Sequence, residues 1–303
     1  MGSISFHDLI DSVPFGVLVC NQGGQINYVN HEICSIFGYS RSELNDKHIS
    51  ILIPHSLRSG HERLHHEFLL LPKARRMGSG RDLLALRKNG DEFFAEIALL
   101  PLSDDAGSSN IVVTIIDVSY RKRIEESLRY QCLHDDLTSL PNRTLFLDRL
   151  DQHCRQYERQ LTPFAVAILD LNGFKKANDT FGHPVGDAIL DKVGKRLVGA
   201  IRKTDTVARL GGDEFGILYA GVKDESGATR LISDVMRYLK APFSLDFGEV
   251  FIGASAGVVL CPINGINAER LIKQADHAMY QAKRNGSRFA NDGCTHHTFV
   301  IAQ

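Results

Sequence analysis

The sequence predicts two domains joined by a helix: an α+β domain, then an α/β domain whose central sheet is covered by helices. In residues 1–118, apolar runs follow the order strand, strand, short helices and three further strands. Residues 119–133 are highly charged and contain no Gly or Pro, which is typical of a connecting helix. In residues 134–292 strand-like and helical segments alternate, which indicates an α/β domain, and residues 293–303 are expected to form a tail.

Composition narrows the classes of function. The chain has 303 residues, enough for two cores of ordinary size, and its formal net charge of -1 offers no broad basic surface for DNA. No apolar run approaches the roughly 18 residues of a membrane span. The 6 cysteines follow neither a disulfide nor a zinc spacing. A cytoplasmic protein with reduced thiols is therefore expected.

The first domain contains two hairpin signals and one helix start. FGVLVCNQGGQINYVN has two apolar runs about a Gly-Gly turn, and Asn89-Gly90 between two strand-like runs predicts a hairpin with a type I′ turn. Ser40 and Glu43 form a capping box for a short helix. The β-branched run IVVTIIDVS predicts the last strand. This order resembles the PAS family over about residues 5–118, which implies a small sensor fold with an antiparallel sheet.

A histidine-rich stretch, HERLHHE, precedes the last strands of this domain. His61, Glu62 and His65 spell the zinc-hydrolase motif H-E-x-x-H, but no G-x-x-H continuation follows to supply a third ligand. The segments IPHSLRSGHERLHHEF and MGSGRDLLALRKNG are similar to haem-binding PAS domains. That resemblance implies His61 as the proximal haem ligand and Arg81 as the residue that reaches bound oxygen. The alternatives are an empty PAS domain used for dimerisation or one that holds a small organic ligand, and His65 and His66 are expected to be solvated.

The connecting helix carries Ile124 and Leu128 at an i,i+4 spacing within YRKRIEESLRYQCL. Because so few apolar positions make a lone helix marginal, we expect two copies to pair as a short parallel coiled coil. A single solvated helix is the alternative.

The second domain places carboxylates at strand ends. A buried strand that ends at Asp170 is predicted by FAVAILDL. Two helices are predicted by PVGDAILDKVGKRLVGAIR and NAERLIKQADHAMYQAKR. Two strands about a Gly-Gly turn are predicted by TVARLGGDEFGILYA. Asp213 and Glu214 follow that turn. Carboxylates that converge there need a cation between them, and oxygen ligands favour Mg²⁺ or Mn²⁺. The turn NGF then leads into a helix near Lys175, whose N-terminus suits a phosphate. The pattern therefore indicates phosphoryl chemistry.

Four segments of this domain resemble GGDEF-domain diguanylate cyclases: HDDLTSLPNR, LDLNGFKKANDTFGHPVGDAIL, RLGGDEF and ADHAMYQAKRNG, in the family's order over about 155 residues. The resemblance implies a ferredoxin/adenylyl-cyclase-like fold and a homodimer. Two GTP molecules, one on each subunit, would form cyclic di-GMP and two pyrophosphates. The PAS domain would regulate this reaction.

The resemblance also implies a role for each matching residue. Asp213, Glu214 and Lys175 are the expected catalytic residues, and Asp213 would help to activate the 3′-hydroxyl. The expected metal ligands are Asp170, the carbonyl of Leu171, Asp213 and Glu214. The residues expected to bind GTP are Phe174 (through its backbone), Lys175 and Lys283 at the phosphates, Asn178 and Asp187 at the guanine, and His183 near the ribose or base.

Arg202 and Asp205 form an R-x-x-D pair shortly before the signature. In this family the pair is the site at which cyclic di-GMP inhibits its own synthesis, and a weak surface ion pair is the alternative.

Two residues depart from the family pattern. Asn172 stands where a second aspartate is frequent. Ser287 stands where an arginine usually follows the glycine, and this change removes a bidentate phosphate partner unless Arg288 takes its place. Activity is expected to survive with weaker GTP binding. The rival class is a catalytically silent module that binds GTP or cyclic di-GMP and signals through a partner.

Overall fold

The computed structural model describes residues 6–77, 83–103, 109–245, 248–287 and 297–301. The chain divides into two compact units, Met1–Ser127 and Leu128–Gln303, and the division falls within one helix. The first unit has the predicted α+β character and the second the predicted mixture of helices with a central sheet.

The first unit is built on one antiparallel sheet, with most of its helices inserted between the second and third strands. Its helices are α1 (Phe6–Asp11), α2 (His31–Phe37), α3 (Arg41–Leu44) and α4 (Arg58–Leu70), with 3₁₀ turns at Ile49–Leu52 and His55–Leu57. Its strands are β1 (Gly16–Asn21), β2 (Ile26–Val29), β3 (Arg75–Arg76), β4 (Leu83–Leu86), β5 (Glu92–Ser103) and β6 (Ser109–Asp117). The sheet order is β2-β1-β6-β5-β3, and β4 also pairs with β5.

Of the two local predictions for this unit, the capping box at Ser40 is confirmed and the turn type at Asn89-Gly90 is wrong. The capping box is confirmed, since Glu43 Oε2 accepts from the Ser40 N–H at 2.9 Å. The type I′ turn is wrong, because positive φ falls on Gly90 (93°) and not on Asn89. The Gly90 N–H donates to the Arg87 carbonyl at 3.0 Å, so three residues rather than two connect the strands. This is a type I turn closed by a left-handed glycine.

The connecting helix, α5 (Ser119–Leu133), follows β6 after one residue. Asp117 Oδ1 accepts from the Ser119 N–H at 2.8 Å, which satisfies a backbone donor at the start of the helix. Ile124 and Leu128 are 40% and 54% exposed. These two positions are therefore open to a partner, and the coiled coil stays a prediction.

The second unit is a five-stranded mixed sheet with helices on both faces. Its helices are α6 (Arg143–Gln160), α7 (Phe174–Phe181), α8 (His183–Ala200), α9 (Glu225–Lys240) and α10 (Ala268–Ser287). Its strands are β7 (Phe164–Asn172), β8 (Thr206–Gly211), β9 (Glu214–Ala220), β10 (Phe243–Leu245), β11 (Gly248–Val250), β12 (Gly253–Cys261) and β13 (His297–Ile301). The sheet order is β13-β12-β7-β9-β8, parallel only between β12 and β13, while β10 and β11 form a separate hairpin.

Alternation along β7 explains why both faces of this sheet are covered. Ala165, Ala167 and Leu169 belong to the core under α8 and α9. Val166 and Ile168 belong to the opposite core under α6 and α10. A strand that is apolar at six consecutive positions, as FAVAIL is before Asp170, is the expected sequence for a strand buried on both sides. No helix among the described residues is long and apolar enough to cross a membrane.

Two strands of the five-stranded sheet were not predicted, and neither was the separate hairpin of β10 and β11. Residues 297–301, within the predicted tail, pair with β12 because the β-branched and aromatic run HTFVI supplies Phe299 and Ile301 to the core. The interior strand β12 has the sequence GASAGVVLC, whose small residues give a weak strand signal. Its Gly257 lies directly against α10: a Cβ there would stand 2.0 Å from the Ala275 carbonyl oxygen.

Candidate functional site

The predicted metal ligands meet at one end of the second sheet. Asp170 on β7 and Glu214 on β9 are partners in the strand register, so the sheet itself holds them side by side. The Gly211-Gly212 turn, with φ of 144° and 50°, connects β8 to β9 and leaves Asp213 immediately before β9, next to Glu214. The Leu171 N–H donates to the Asp213 carbonyl at 3.2 Å. All four residues are therefore neighbours.

The charges at this sheet end repel one another. Burial, followed by the charge of Asp170, raises the pKa of Asp213 above its ordinary value. Burial, then Asp276 and Asp170, raises the pKa of Glu214. A divalent cation would relieve this repulsion, and carboxylate and carbonyl oxygens are the ligands that Mg²⁺ prefers. The donors thus fit the metal, although no group of three His, Cys, Asp or Glu side chains in the described part of the chain is already arranged around one point.

Lys283 on α10 contacts the predicted metal site, and its side chain stays 44% exposed. Its Nζ donates to Asp170 Oδ1 at 2.6 Å, and Asp170 is only 9% exposed. An ammonium group therefore neutralises one of the crowded carboxylates.

The predicted phosphate cradle lies directly after β7. Gly173, with φ of 82°, precedes the first residue of α7, Phe174. The Phe174 side chain is buried, which leaves its backbone as the part that can face a ligand, and Lys175 is exposed in the first turn. Backbone N–H groups at a helix start and a neighbouring lysine are suited to an anion.

The predicted guanine contacts lie on the helix pair α7 and α8. Asn178 is on α7, and its Oδ1 is buried with no hydrogen-bond partner in the described structure. Gly186 on α8 packs against it so closely that a Cβ would stand 1.8 Å from Asn178 Oδ1. The next residue, Asp187, is exposed, as is His183 at the start of α8. The three side chains therefore belong to one helix pair, with an unsatisfied acceptor among them.

Arg209 clamps the Gly-Gly turn, a role that the sequence did not predict. Arg209 donates from Nη1 to both carboxylate oxygens of Asp135, at 3.1 and 3.0 Å. Its Nε and Nη2 donate to the Gly212 carbonyl at 3.0 and 2.8 Å. Asp135 also accepts from the N–H and hydroxyl of Thr138. Asp135 lies in the segment HDDLTSLPNR and Arg209 in RLGGDEF, but nothing in the two segments signals that these residues pair.

The departure at Asn172 has a structural partner. Asn172 Nδ2 donates to Ser255 Oγ at 3.0 Å, and Ser255 Oγ is also within 3.1 Å of Asn172 Oδ1. An amide thus joins β7 to β12 at the end of the strand that carries Asp170. Ser287 is the last residue of α10, and Arg288 lies outside the described residues.

At the R-x-x-D pair, Asp205 contacts backbone. Its carboxylate accepts from the Arg202 N–H at 3.2 Å and from the Ala220 N–H at 3.1 Å. Asp205 therefore shapes the turn before β8 and ties it to the end of β9. The Arg202 side chain is exposed on the same turn.

The histidines of α4 surround a small cavity in the first unit. His61 and His65 line a cavity of about 30 Å³ together with mainly apolar side chains. The expectation that His65 is solvated is wrong for its Nε2, which is buried without a hydrogen-bond partner, whereas His66 is exposed as expected. The signal that would have found this is the helical spacing from His61 and His65 to the buried Phe68.

Haem and a hydrolytic zinc ion fit this cavity poorly. A haem needs several hundred Å³, in the range of about 300 Å³ or more for cofactor pockets, which is about ten times the volume present. The predicted distal residue Arg81 lies outside the described residues. For the zinc motif, Glu62 is exposed on α4, and no group of three His, Cys, Asp or Glu side chains among the described residues could hold a metal ion.

Comparison with known proteins identifies both units. The family model described as diguanylate cyclase, GGDEF domain, matches residues 132–288, and the model described as PAS fold matches residues 5–118.

Relatives and solved structures agree with these matches. The bifunctional diguanylate cyclase/cyclic di-GMP phosphodiesterase MucR of Pseudomonas aeruginosa is 42% identical over 164 residues, which is 54% of this chain and 24% of that protein. The probable diguanylate cyclase DgcE of Escherichia coli is 30% identical over 284 residues, 92% of this chain and 25% of that protein. The chain thus spans about a quarter of the length of these relatives. The coiled coil and GGDEF domain of DgcB from Caulobacter crescentus, in complex with c-di-GMP, matches with a TM-score of 0.52 at 26% identity, covering 56% of this chain and 90% of that one.

Proposed function

The chain belongs to the GGDEF family of diguanylate cyclases and carries a PAS domain, and from this premise we propose that it condenses two GTP molecules into cyclic di-GMP and two pyrophosphates. The observation that carries the proposal is the convergence of Asp170, Asp213 and Glu214 at one sheet end, next to the start of α7. Carboxylates that repel each other beside an anion cradle suit a metal-assisted phosphoryl transfer.

The residues of this sheet end bind the metal and activate the hydroxyl. Four groups would hold Mg²⁺ or Mn²⁺: Asp170, the Leu171 carbonyl, Asp213 and Glu214. When bound, the metal would supply Lewis-acid stabilisation of the phosphates. Asp213, whose pKa burial raises, accepts a hydrogen bond from the 3′-hydroxyl and favours its deprotonation. The phosphates are oriented by the Phe174 backbone, Lys175 and Lys283.

Selectivity for guanine comes from the helix pair α7 and α8. Asp187 accepts from the N1 and N2 hydrogens, which guanine has and adenine lacks. The unsatisfied Oδ1 of Asn178 supplies a second acceptor at the same place. A buried acceptor without a partner favours the base that can donate to it. His183 lies at the start of the same helix and contacts the ribose or base.

Two GTP molecules must meet, so the active form is a homodimer in which each subunit brings one half-site. We place the dimer contact on α5, where Ile124 and Leu128 are exposed. The PAS domain regulates turnover by changing the pairing of this helix. Ile124→Asp should weaken dimerisation and lower turnover, as measured by analytical ultracentrifugation and product formation; unchanged values in both would disprove the stalk mechanism.

Product inhibition is assigned to Arg202 and Asp205. The Arg202 guanidinium is exposed and available to phosphate and guanine edges. Asp205 already holds the turn through two backbone hydrogen bonds, so it sets the orientation of Arg202 as well as contacting the product.

The direct test is to incubate the full chain with GTP and Mg²⁺ and identify the product by mass spectrometry. Asp213→Asn keeps the size of the side chain and removes its charge, so turnover should fall by at least about 10²-fold. Asp179→Asn, an exposed aspartate of α7, is the matched control and should retain turnover. Full activity of the Asp213 variant would refute the site.

A second candidate function is a silent module that binds GTP or cyclic di-GMP and passes the signal to a partner. The observation that favours it is the Lys283 ammonium on Asp170, which occupies a carboxylate that the reaction needs for its metal. Nucleotide binding by calorimetry without any product from GTP and Mg²⁺ would select this function over the cyclase.

A further inference from the structure

Lys283 places an ammonium group on a carboxylate that the proposed reaction needs for its metal. Its Nζ donates to Asp170 Oδ1 at 2.6 Å, and Asp170 is only 9% exposed. We propose that Lys283 is an exchangeable cation, which leaves Asp170 for the GTP phosphates so that the divalent metal and the nucleotide bind together. This proposal rests on the metal and phosphate roles given above and adds the coupling between the two ligands.

The ammonium group and a divalent ion compete for the same carboxylate. The side chains of Lys283 and Asp170 are 44% and 12% exposed, so the carboxylate is largely shielded from water. Two positive charges repel strongly over a few ångströms where water is scarce. A metal ion on Asp170 therefore requires the ammonium group to move away.

Lys283 supplies the direct counter-charge of the carboxylates at this sheet end. In the described part of the chain, Asp213 and Glu214 form no ion pair. The neighbouring cation Arg209 is not free to exchange, because it is paired with Asp135 and is only 13% exposed. The ammonium group on α10 is therefore the charge that a metal ion can replace.

The geometry lets the ammonium group change partners without movement of the backbone. Lys283 lies on α10 one turn after the buried Met279, so its Cα is held in place. A lysine ammonium sits on a flexible stem and rotates readily between acceptors. The predicted phosphate cradle at Gly173 and Phe174 follows directly after the strand that carries Asp170. A phosphate in that cradle is therefore an alternative acceptor close to the carboxylate.

This exchange couples metal binding to nucleotide binding. Without nucleotide, a metal ion must displace the ammonium group from its anionic partner, so the metal binds weakly. With nucleotide, the phosphates accept from the ammonium group and release Asp170 to the metal. Such coupling is reciprocal, so each ligand raises the affinity of the other by the same factor. The contact between Lys283 and Asp170 is then compatible with turnover, because the substrate itself removes it.

The first test measures Mn²⁺ binding to the full chain without nucleotide, from the electron paramagnetic resonance signal of free Mn²⁺. Lys283→Met removes the charge and keeps the length of the side chain, so Mn²⁺ should bind at least about tenfold more tightly than to the wild type. Lys283→Arg keeps the charge and should keep the weak binding. Arg284→Met removes a charge from the next residue of α10 and should leave the affinity nearly unchanged, because solvent screens this exposed side chain.

A second test uses the unmodified protein and stays valid if Lys283→Met fails to fold. Acetylation of lysines by acetic anhydride is followed by peptide mass spectrometry. Mn²⁺ alone should speed the acetylation of Lys283, because it releases the ammonium group. Mn²⁺ with 3′-deoxy-GTP, which lacks the attacking hydroxyl, should slow it again, because the phosphates hold the group. Lys195, which is paired with Asp191 on α8, should show neither change.

Two results overturn the proposal. One is Mn²⁺ affinity that is equal or weaker in folded Lys283→Met, and the other is acetylation of Lys283 that does not respond to Mn²⁺ and 3′-deoxy-GTP in these directions. Neither measurement depends on turnover. Loss of this proposal is therefore distinguishable from failure of the cyclase proposal, which shows as the absence of product from GTP and Mg²⁺.

Discussion

The clamp formed by Arg209 offers the sharpest test of how the second unit positions its carboxylates. Arg209 joins Asp135 to the Gly212 carbonyl, and the two ionised side chains are only 13% and 22% exposed. Arg209→Ala removes one member of a largely buried ion pair, a change that costs about 3–5 kcal/mol when the partner is left alone. Here Asp135 keeps the Thr138 N–H at 2.9 Å and hydroxyl at 2.7 Å. We therefore expect a loss of about 2–3 kcal/mol.

That loss should lower the melting temperature by about 4–12 °C, since 1 kcal/mol corresponds to about 2–4 °C for a domain of this size. Without Arg209 the Gly-Gly turn is released, and a displacement of about 1 Å at a reacting group can lower turnover by about 10²-fold. Both quantities can be measured on one preparation, by scanning calorimetry and by cyclic di-GMP formation. Lys195→Ala is the control, because its ion pair with Asp191 is exposed and should contribute at most about 0.5 kcal/mol.

The effect of Arg209→Ala on the melting temperature should also depend on pH. Burial opposes ionisation of Asp135, but hydrogen bonds from Thr138 and Arg209 outweigh it and lower its pKa below the ordinary 3.8. The pair thus contributes its full stability above the ordinary pKa and loses it as the pH falls through the lowered value. The difference in melting temperature between wild type and Arg209→Ala should be constant near neutral pH and shrink below about pH 4. An equal melting temperature and equal turnover at pH 7 would refute the clamp.

Three further predictions concern other parts of the chain. Asn172→Asp removes the donor to Ser255 and should destabilise the second unit by about 1 kcal/mol in calorimetry; a more stable variant would contradict the amide bridge. Arg202→Ala should relieve inhibition by added cyclic di-GMP without changing the melting temperature. Asp205→Ala should relieve inhibition and also lower the melting temperature, because it removes two hydrogen bonds to backbone N–H groups. Equal melting temperatures of the two variants would show that Asp205 does not stabilise the turn. At pH 8 iodoacetamide should modify the exposed Cys132 before Cys261, whose pKa burial raises to about 12, as read by peptide mass spectrometry; the reverse order would be inconsistent with the packing.

Residues that are close in sequence were predictable, because local rules decide their conformation. The Gly-Gly turn, the strand that ends at Asp170 and the glycine before α7 each follow from short segments. Their convergence follows from the pairing of two adjacent strands. The capping box at Ser40 is local in the same sense.

Features that depend on distant residues could not be predicted in this way. The partners Asp135 and Arg209 are 74 residues apart, and no spacing rule relates them. Strand β12 was missed because its residues are small for the sake of contact with α10, a tertiary reason that overrides strand propensity. By contrast, the burial of His65 Nε2 could have been inferred, because the helical spacing of His65 and Phe68 places both side chains on one face of α4.

The register pair Asp170 and Glu214 has a consequence for how such domains can vary. Backbone hydrogen bonds between β7 and β9 set the spacing of these carboxylates, at about 4.5–5.5 Å between Cα atoms in any antiparallel pair. Substitutions in the cores above and below the sheet can therefore accumulate without altering that spacing. The cores can therefore be repacked and the attached sensor exchanged while the sheet keeps the spacing of these two carboxylates.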